Sequence, residues 1–266
     1  MTVTPIFDPE TAGRSMRVAA FMSGSGTNIT KLLEHERELT AREKKSPFET
    51  IFIFSDRSDG RSAGERIARE NGLAYFSYDI RGFHEKRGFK RSVLTAEGLA
   101  ARREYDQVAK RLVEAFEIDV IALGGYMSYI TLNRCVNVHP ADLSISLPDG
   151  RRKYVGDDAV KDAISGGETV LRSSTLWTDE GVDSGPLLMV SDALPVTLPE
   201  SLETLIKDNE RFRRVVDEHQ ERLKEVGDWK IFPKTTEMIA RGRVALDDEN
   251  RVYVDGRLVP DGYREK

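Results

Sequence analysis

Short apolar runs alternate along this chain with longer stretches whose apolar residues recur every three or four positions, and this alternation limits the folds open to it. "RVAAFMS" is apolar on both faces and ends in a glycine-rich turn; "NITKLLEHERELTAREKK" follows with Ile29, Leu32 and Leu33 at helical spacing. A buried strand therefore feeds a helix. "TIFIFSD" repeats the pattern, leading through "RSDGR" to the helix "SAGERIARENG", which an Asn-Gly pair stops. "LAYFSYD" and the near-continuous apolar run "IDVIALGGYMS" read as further strands, the second as a central parallel one. Strand-helix repeats of this kind imply an α/β fold with a mostly parallel central sheet flanked by helices.

Further along, "CVNVHP" reads as a short strand, "DDAVKDAISGG" as a helix, and "TVLRSSTLWTD" and "PLLMVSDALPV" as single strands. Residues 198–227 read as one long amphipathic helix opened by Pro199 and an acidic turn. A last helix and a hairpin around Asp255-Gly256 follow. Residues 81–98 show no clean period and an excess of Arg and Lys, which predicts a loosely ordered loop. Residues 1–15 read as an extension, and 16–266, which no linker divides, as one domain.

A length of 266 residues suffices for a sizeable core. A net charge of -5, spread along the chain, argues against nucleic-acid partners and a polybasic membrane surface. Apolar runs stay short of a membrane span. A single cysteine rules out an internal disulfide and, with no secretory leader pattern, makes the cytoplasm the expected compartment.

Three stretches carry chemistry. "SGSGTN", Ser23 to Asn28, lies between a strand and a helix, where unpaired backbone N–H groups and the helix dipole suit a phosphate. Gly24 and Gly26 let the backbone approach an anion, and Thr27 and Asn28 add donors; the alternative is a plain tight turn. In "VNVHP" the alternation of a strand puts Asn137 and His139 on one face, with Val136 and Val138 on the other. An amide donor beside an imidazole at the C-terminal end of a strand can hold a carbonyl oxygen and move a proton. The alternative is a solvent-exposed strand end. "TDEGVDSGP" brings three carboxylates into a glycine-punctuated loop, one of which can reach the imidazole or simply face water. His35, His84 and His219 read as solvated, and no histidine pair has metal-ligand spacing.

In this order, "MRVAAFMSGSGTN", "IFSDRSDGRSAGERIARENGL", "IALGGYM", "VNVHP", "DEGVDSGP" and "VYVDGRLVPDGY" resemble the glycinamide ribonucleotide formyltransferases of purine synthesis, over roughly residues 16 to 263. The resemblance implies a Rossmann-like formyltransferase fold, 10-formyltetrahydrofolate as formyl donor and an amine on a phosphorylated ribose as acceptor. By position, Asn137, His139 and Asp183 match the catalytic trio. Ser25, Gly26, Thr27 and Asn28 match the phosphate loop, Asp228 an acceptor contact, and Tyr126, Met127, Ser128 and Tyr129 the folate-binding segment, with Tyr126 and Met127 lining its cleft.

Departures from the family pattern surround both ligands. Thr175 stands where the family has a His, Ser128 where it has an Arg that helps hold folate, and Asp228 where it has a Glu. Arg151, Arg152 and Lys153 bring positive charge near the Asn-His strand, which either suits a more acidic acceptor or makes a solvated basic loop. A different phosphorylated amine therefore stays open as acceptor. So do two other readings: a formyltetrahydrofolate hydrolase, whose family carries a regulatory domain ahead of the first strand, and a non-catalytic nucleotide-binding module.

Overall fold

The computed structural model describes residues 2–89 and 92–265. β1 (Val3–Pro5) and α1 (Pro9–Ala12) precede β2 (Met16–Met22), α2 (Thr27–Glu43), β3 (Phe48–Ser55), α3 (Gly64–Glu70), β4 (Ala74–Ser77), α4 (Ile80–Arg87), α5 (Ala96–Ala115), β5 (Val120–Leu123) and β6 (Cys135–His139). After them come α6 (Ala159–Ser165), β7 (Val170–Leu171), β8 (Ser174–Trp177), β9 (Leu187–Val190), β10 (Leu194–Pro195), α7 (Leu202–Leu205) and α8 (Asn209–Leu223). A π-helical turn (Lys224–Asp228), α9 (Trp229–Ala240), β11 (Val244–Asp247), β12 (Val252–Val254) and β13 (Arg257–Leu258) complete the chain.

The main sheet has the strand order β4-β3-β2-β5-β6-β8-β9, with parallel pairing from β4 to β6 and antiparallel pairing of β8 with β9. This is the mostly parallel α/β arrangement that the alternation of runs implies, and the Rossmann-like form that the family resemblance implies. The chain divides into two compact units: Phe7 to Asn137, and the residues up to Ile6 together with those from Val138 onward. Their boundary falls inside β6, so no linker composition announces it.

In the first unit the strands are apolar on both faces because helices cover a parallel sheet. Phe21, Phe52, Phe54, Ile121 and Leu123 form its core with Ala109 and Val113 of α5. Aromatic rings run through it, Phe21 to Phe54 at 4.8 Å and Phe52 to Phe116 at 5.3 Å. The second unit has its own core of Leu143, Val160, Ile164, Leu176, Leu187, Phe212 and Leu223, among others. It also holds a four-stranded sheet of order β1-β11-β12-β13.

Several local expectations change. The N-terminal residues are structured: β1 pairs antiparallel with β11, and Asp8 caps α1 by accepting from Glu10 N and Thr11 N. Residues 81–98 are not a loop throughout. Asp79 caps α4 by accepting from Gly82 N, Ile80 and Phe83 pack with Tyr105, and Thr95 caps α5; Lys90 and Arg91 of that segment lie outside the described residues. The buried apolar anchors of α4, Ile80 and Phe83, are too few and too widely set among charges to show as a period. The long helix expected at 198–227 is instead α7, α8 and the π-helical turn, because Asp208 caps a new start at Asn209. Each long strand expected at 169–179 and 186–196 breaks in two. His84 and His219 are buried, the latter accepting from Thr197 N at Nε2 and facing Val215 O through Nδ1.

Asp247 closes the β11–β12 turn. Burial raises its pKa, but the N–H and guanidinium of Arg251, the N–H of Glu249 and the Tyr253 hydroxyl outweigh this and hold the carboxyl at about 2. A group lowered on folding adds stability that is present above its ordinary value near 3.8 and is lost as pH falls through about 2. Asp247→Asn is therefore expected to lower the melting temperature at neutral pH and to flatten the decline between those two pH values. An unchanged acid limb in a thermal scan would refute this.

Candidate functional site

The residues matched to a phosphate loop, Ser25 to Asn28, sit where the C-terminal end of β2 turns into α2. No side chain caps this helix and its first turn carries no acid, so its leading N–H groups remain directed outward. Ser25 is exposed, while Thr27 and Asn28 are half-buried. The Asn28 Oδ1 atom is buried without a hydrogen-bond partner; a half-turn of the amide presents its NH₂ as a donor instead. Gly26 has a reason the sequence did not show. Its φ is 69°, and a Cβ there would lie 2.6 Å from Ile67 Cδ1 and 2.7 Å from Met22 Cε. The missing side chain makes room for the unit's own core, whereas at Gly24 a Cβ meets nothing within 4 Å.

Ser23 ties this loop to the segment after β5. Its N–H donates to Gly125 O at 3.0 Å, and its Oγ accepts from Met127 N at 2.9 Å. Met127 is 65% exposed. Tyr126, expected to line a cleft, is instead interior: its ring packs on Phe21 at 5.6 Å and its hydroxyl accepts from Arg102 Nη2 at 3.1 Å. Burial pushes its phenol up, so it stays neutral. Ser128 donates to Asp56 Oδ2, and Tyr129 is half-buried.

Arg102 and Asp106, which sequence reasoning missed, form a buried ion pair at 3.0 Å. Asp106 Oδ2 accepts from both the N–H and the hydroxyl of Thr131. The pair thus holds both ends of the 126–131 segment. Opposite charges four apart within the buried stripe Ala101, Tyr105, Ala109 were the available signal.

On β6, Asn137 is half-buried and His139 only 6% exposed, so the solvent-exposed strand end does not apply. Of the three loop carboxylates, Asp183 is the one beside the imidazole: its Oδ2 lies 3.5 Å from His139 Nδ1, and both side chains are nearly buried. That is ion-pair range, slightly beyond an ordinary hydrogen bond. His139 Nε2 is buried without a hydrogen-bond partner. Gly156 N donates to Asp183 Oδ2 at 2.9 Å, which fixes the carboxylate. Asp228 is buried at the end of the π-helical turn, an element that often marks functional positions. The basic run is not an open cationic patch: Arg151 pairs with Asp149, Lys153 with Glu168, and Arg152 with backbone carbonyls.

Two outcomes follow. Gly26→Ala is expected to destabilise the fold by about 1–3 kcal/mol through a strained φ and overpacking, with Gly24→Ala near neutral; equal denaturant midpoints would contradict the packing role. Asp106→Ala leaves a buried guanidinium uncompensated and is expected to cost about 3–5 kcal/mol in the same measurement. A loss below about 1 kcal/mol would show the pair to be dispensable.

Comparison with known proteins agrees with this frame. The bovine (Bos taurus) trifunctional purine biosynthetic protein adenosine-3 is 24% identical over 90% of this chain, which spans only 20% of that protein's length. The phosphoribosylglycinamide formyltransferase of Escherichia coli (strain K12) is 23% identical over 93% of this chain and 98% of its own. A phosphoribosylglycinamide formyltransferase structure from Coxiella burnetii superposes with a TM-score of 0.64 at 21% identity, covering 95% of this chain and all of that one. With the formyl transferase family pattern matching residues 16–216, the chain belongs to the formyl transferase family.

Proposed function

We propose that this protein transfers a formyl group from 10-formyltetrahydrofolate to the amine of a phosphorylated acceptor, glycinamide ribonucleotide. The observation that carries the reading is the buried His139–Asp183 pair at the end of β6, with Asn137 on the same strand face, in a chain of the formyl transferase family. The acceptor amine attacks the formyl carbon; Asn137 donates to the oxygen as it becomes an oxyanion. His139, oriented at Nδ1 by Asp183, uses Nε2 to carry the amine proton toward the leaving folate nitrogen as its bond to carbon breaks.

The uncapped start of α2, with Ser25, Gly26, Thr27 and Asn28, takes the acceptor's phosphate, and Asp228 contacts the acceptor. Met127, Ser128 and Tyr129 serve the folate. An unusually acidic acceptor has little support, since Arg151, Arg152 and Lys153 all have partners within the protein.

Formyl transfer to glycinamide ribonucleotide is expected with a kcat/KM of about 10⁴ M⁻¹s⁻¹ or above. His139→Ala or Asn137→Ala should lower turnover about a hundredfold, with folate binding changed far less. Folate consumption that proceeds with water alone and does not rise on adding the amine would make the protein a hydrolase. Binding of both ligands without turnover would make it a non-catalytic module, and near wild-type turnover of His139→Ala would sink the assigned mechanism.

A further inference from the structure

We infer that Arg152 is a positioning residue: it holds the backbone of the 183–185 turn so that the Asp183 carboxylate stays aligned with His139. The inference rests on the catalytic reading of Asp183 given above.

Arg152 projects from a small hairpin. Leu147 N donates to Arg151 O at 2.7 Å, Lys153 N to Ile145 O at 3.0 Å, and Ser146 bridges Arg152. "LPDG" makes its turn, with Gly150 N donating to Leu147 O and a φ of 83° at Gly150. From this support the Arg152 guanidinium donates through Nη1 to Asp183 O and through Nη2 to Gly185 O at 2.7 Å. Two donors of one rigid fork on two carbonyls of one turn fix its orientation more firmly than a single bond could.

That turn needs fixing. Asp183 has a φ of 50°, a left-handed conformation that residues other than glycine adopt seldom, Asn and Asp more readily than the rest. Within the loop Asp179 Oδ1 accepts from Gly181 N and Ser184 Oγ, whereas the Asp183 carbonyl and carboxylate are held from outside it. Arg152 restrains it at the backbone and Gly156 N at the side chain, both from the single segment 152–156. Arg152 is half-buried, and burial draws its guanidinium below the ordinary value while the Asp183 and Asp179 carboxylates oppose this.

The test has a structural and a kinetic arm. A crystal structure of Arg152→Ala is expected to show Asp183 displaced from His139 Nδ1 and the 179–185 loop rearranged; an unmoved carboxylate overturns the inference whether or not the protein is a formyltransferase. In the formyl-transfer assay, Arg152→Ala should lower kcat about 10- to 100-fold, the range for a misplacement of about 1 Å, with KM for both substrates changed less than about threefold. Arg152→Lys, which keeps charge and folding but not the fork, should recover only part of the loss. In an Asp183→Asn background, Arg152→Ala should add little further loss, because both changes act through one carboxylate. Fully additive losses, or full activity of Arg152→Ala in an active wild type, overturn the positioning role. An inactive wild type counts against the formyl-transfer reading alone.

Discussion

The register of β6 is the constraint on which the candidate chemistry depends. Cys135, Val136 and Asn137 lie opposite Ile121, Ala122 and Leu123 of β5. Side chains alternate, so a slip of one residue would exchange the faces and put Val136 and Val138 where Asn137 and His139 now stand. Both valines are buried, and burying such a side chain contributes about 1.5–3 kcal/mol. Cys135 and His139 on the other face are buried too, so a slip would misplace fitted side chains on both faces. Pro140 follows at once, lacking an N–H with which to extend the ladder. Asn137 and His139, the groups proposed to react, stand at a strand end and not on a long flexible loop.

How far the fold was legible follows from what kind of force made each element. β2, β3, β5 and α2 were readable because burial on a parallel sheet writes itself as continuous apolar runs and helical periods. α4 was not: its start depends on one Asp79 cap and its packing on Ile80 and Phe83, which charged neighbours mask. β1 was invisible because its three residues are exposed and held by pairing with β11, from the far end of the chain. The unit boundary was equally hidden, since it cuts a strand and not a linker.

The same distinction separates the site residues. Asn137 and His139 share a face by strand alternation alone, and the candidate phosphate loop was legible from its place between strand and helix. Tyr126 was assigned to a cleft by resemblance alone, and its packing could not be read from the sequence because its partners, Phe21 and Arg102, are far away along the chain. Arg152 was hidden for a related reason. In a run of three cations, only tertiary structure shows which one turns inward: Arg151 has an acid two residues away, Lys153 has Glu168, and Arg152 has carbonyls 31 and 33 positions on.

The departures from the family pattern look different once their partners are known. A residue changed beside a ligand is costly when it leaves a buried polar group unsatisfied, at about 1–3 kcal/mol. Thr175 avoids this, because its hydroxyl pairs with that of Thr235 at 2.8 Å inside the second unit. Ser128 avoids it too, by donating to Asp56 within the first. Each substitution closes on a neighbour in its own unit, so neither imposes a desolvation penalty on the empty protein. On the proposed reading what they change is confined to the ligand side, and they leave in place the uncapped start of α2 and the Asp183 turn that Arg152 holds.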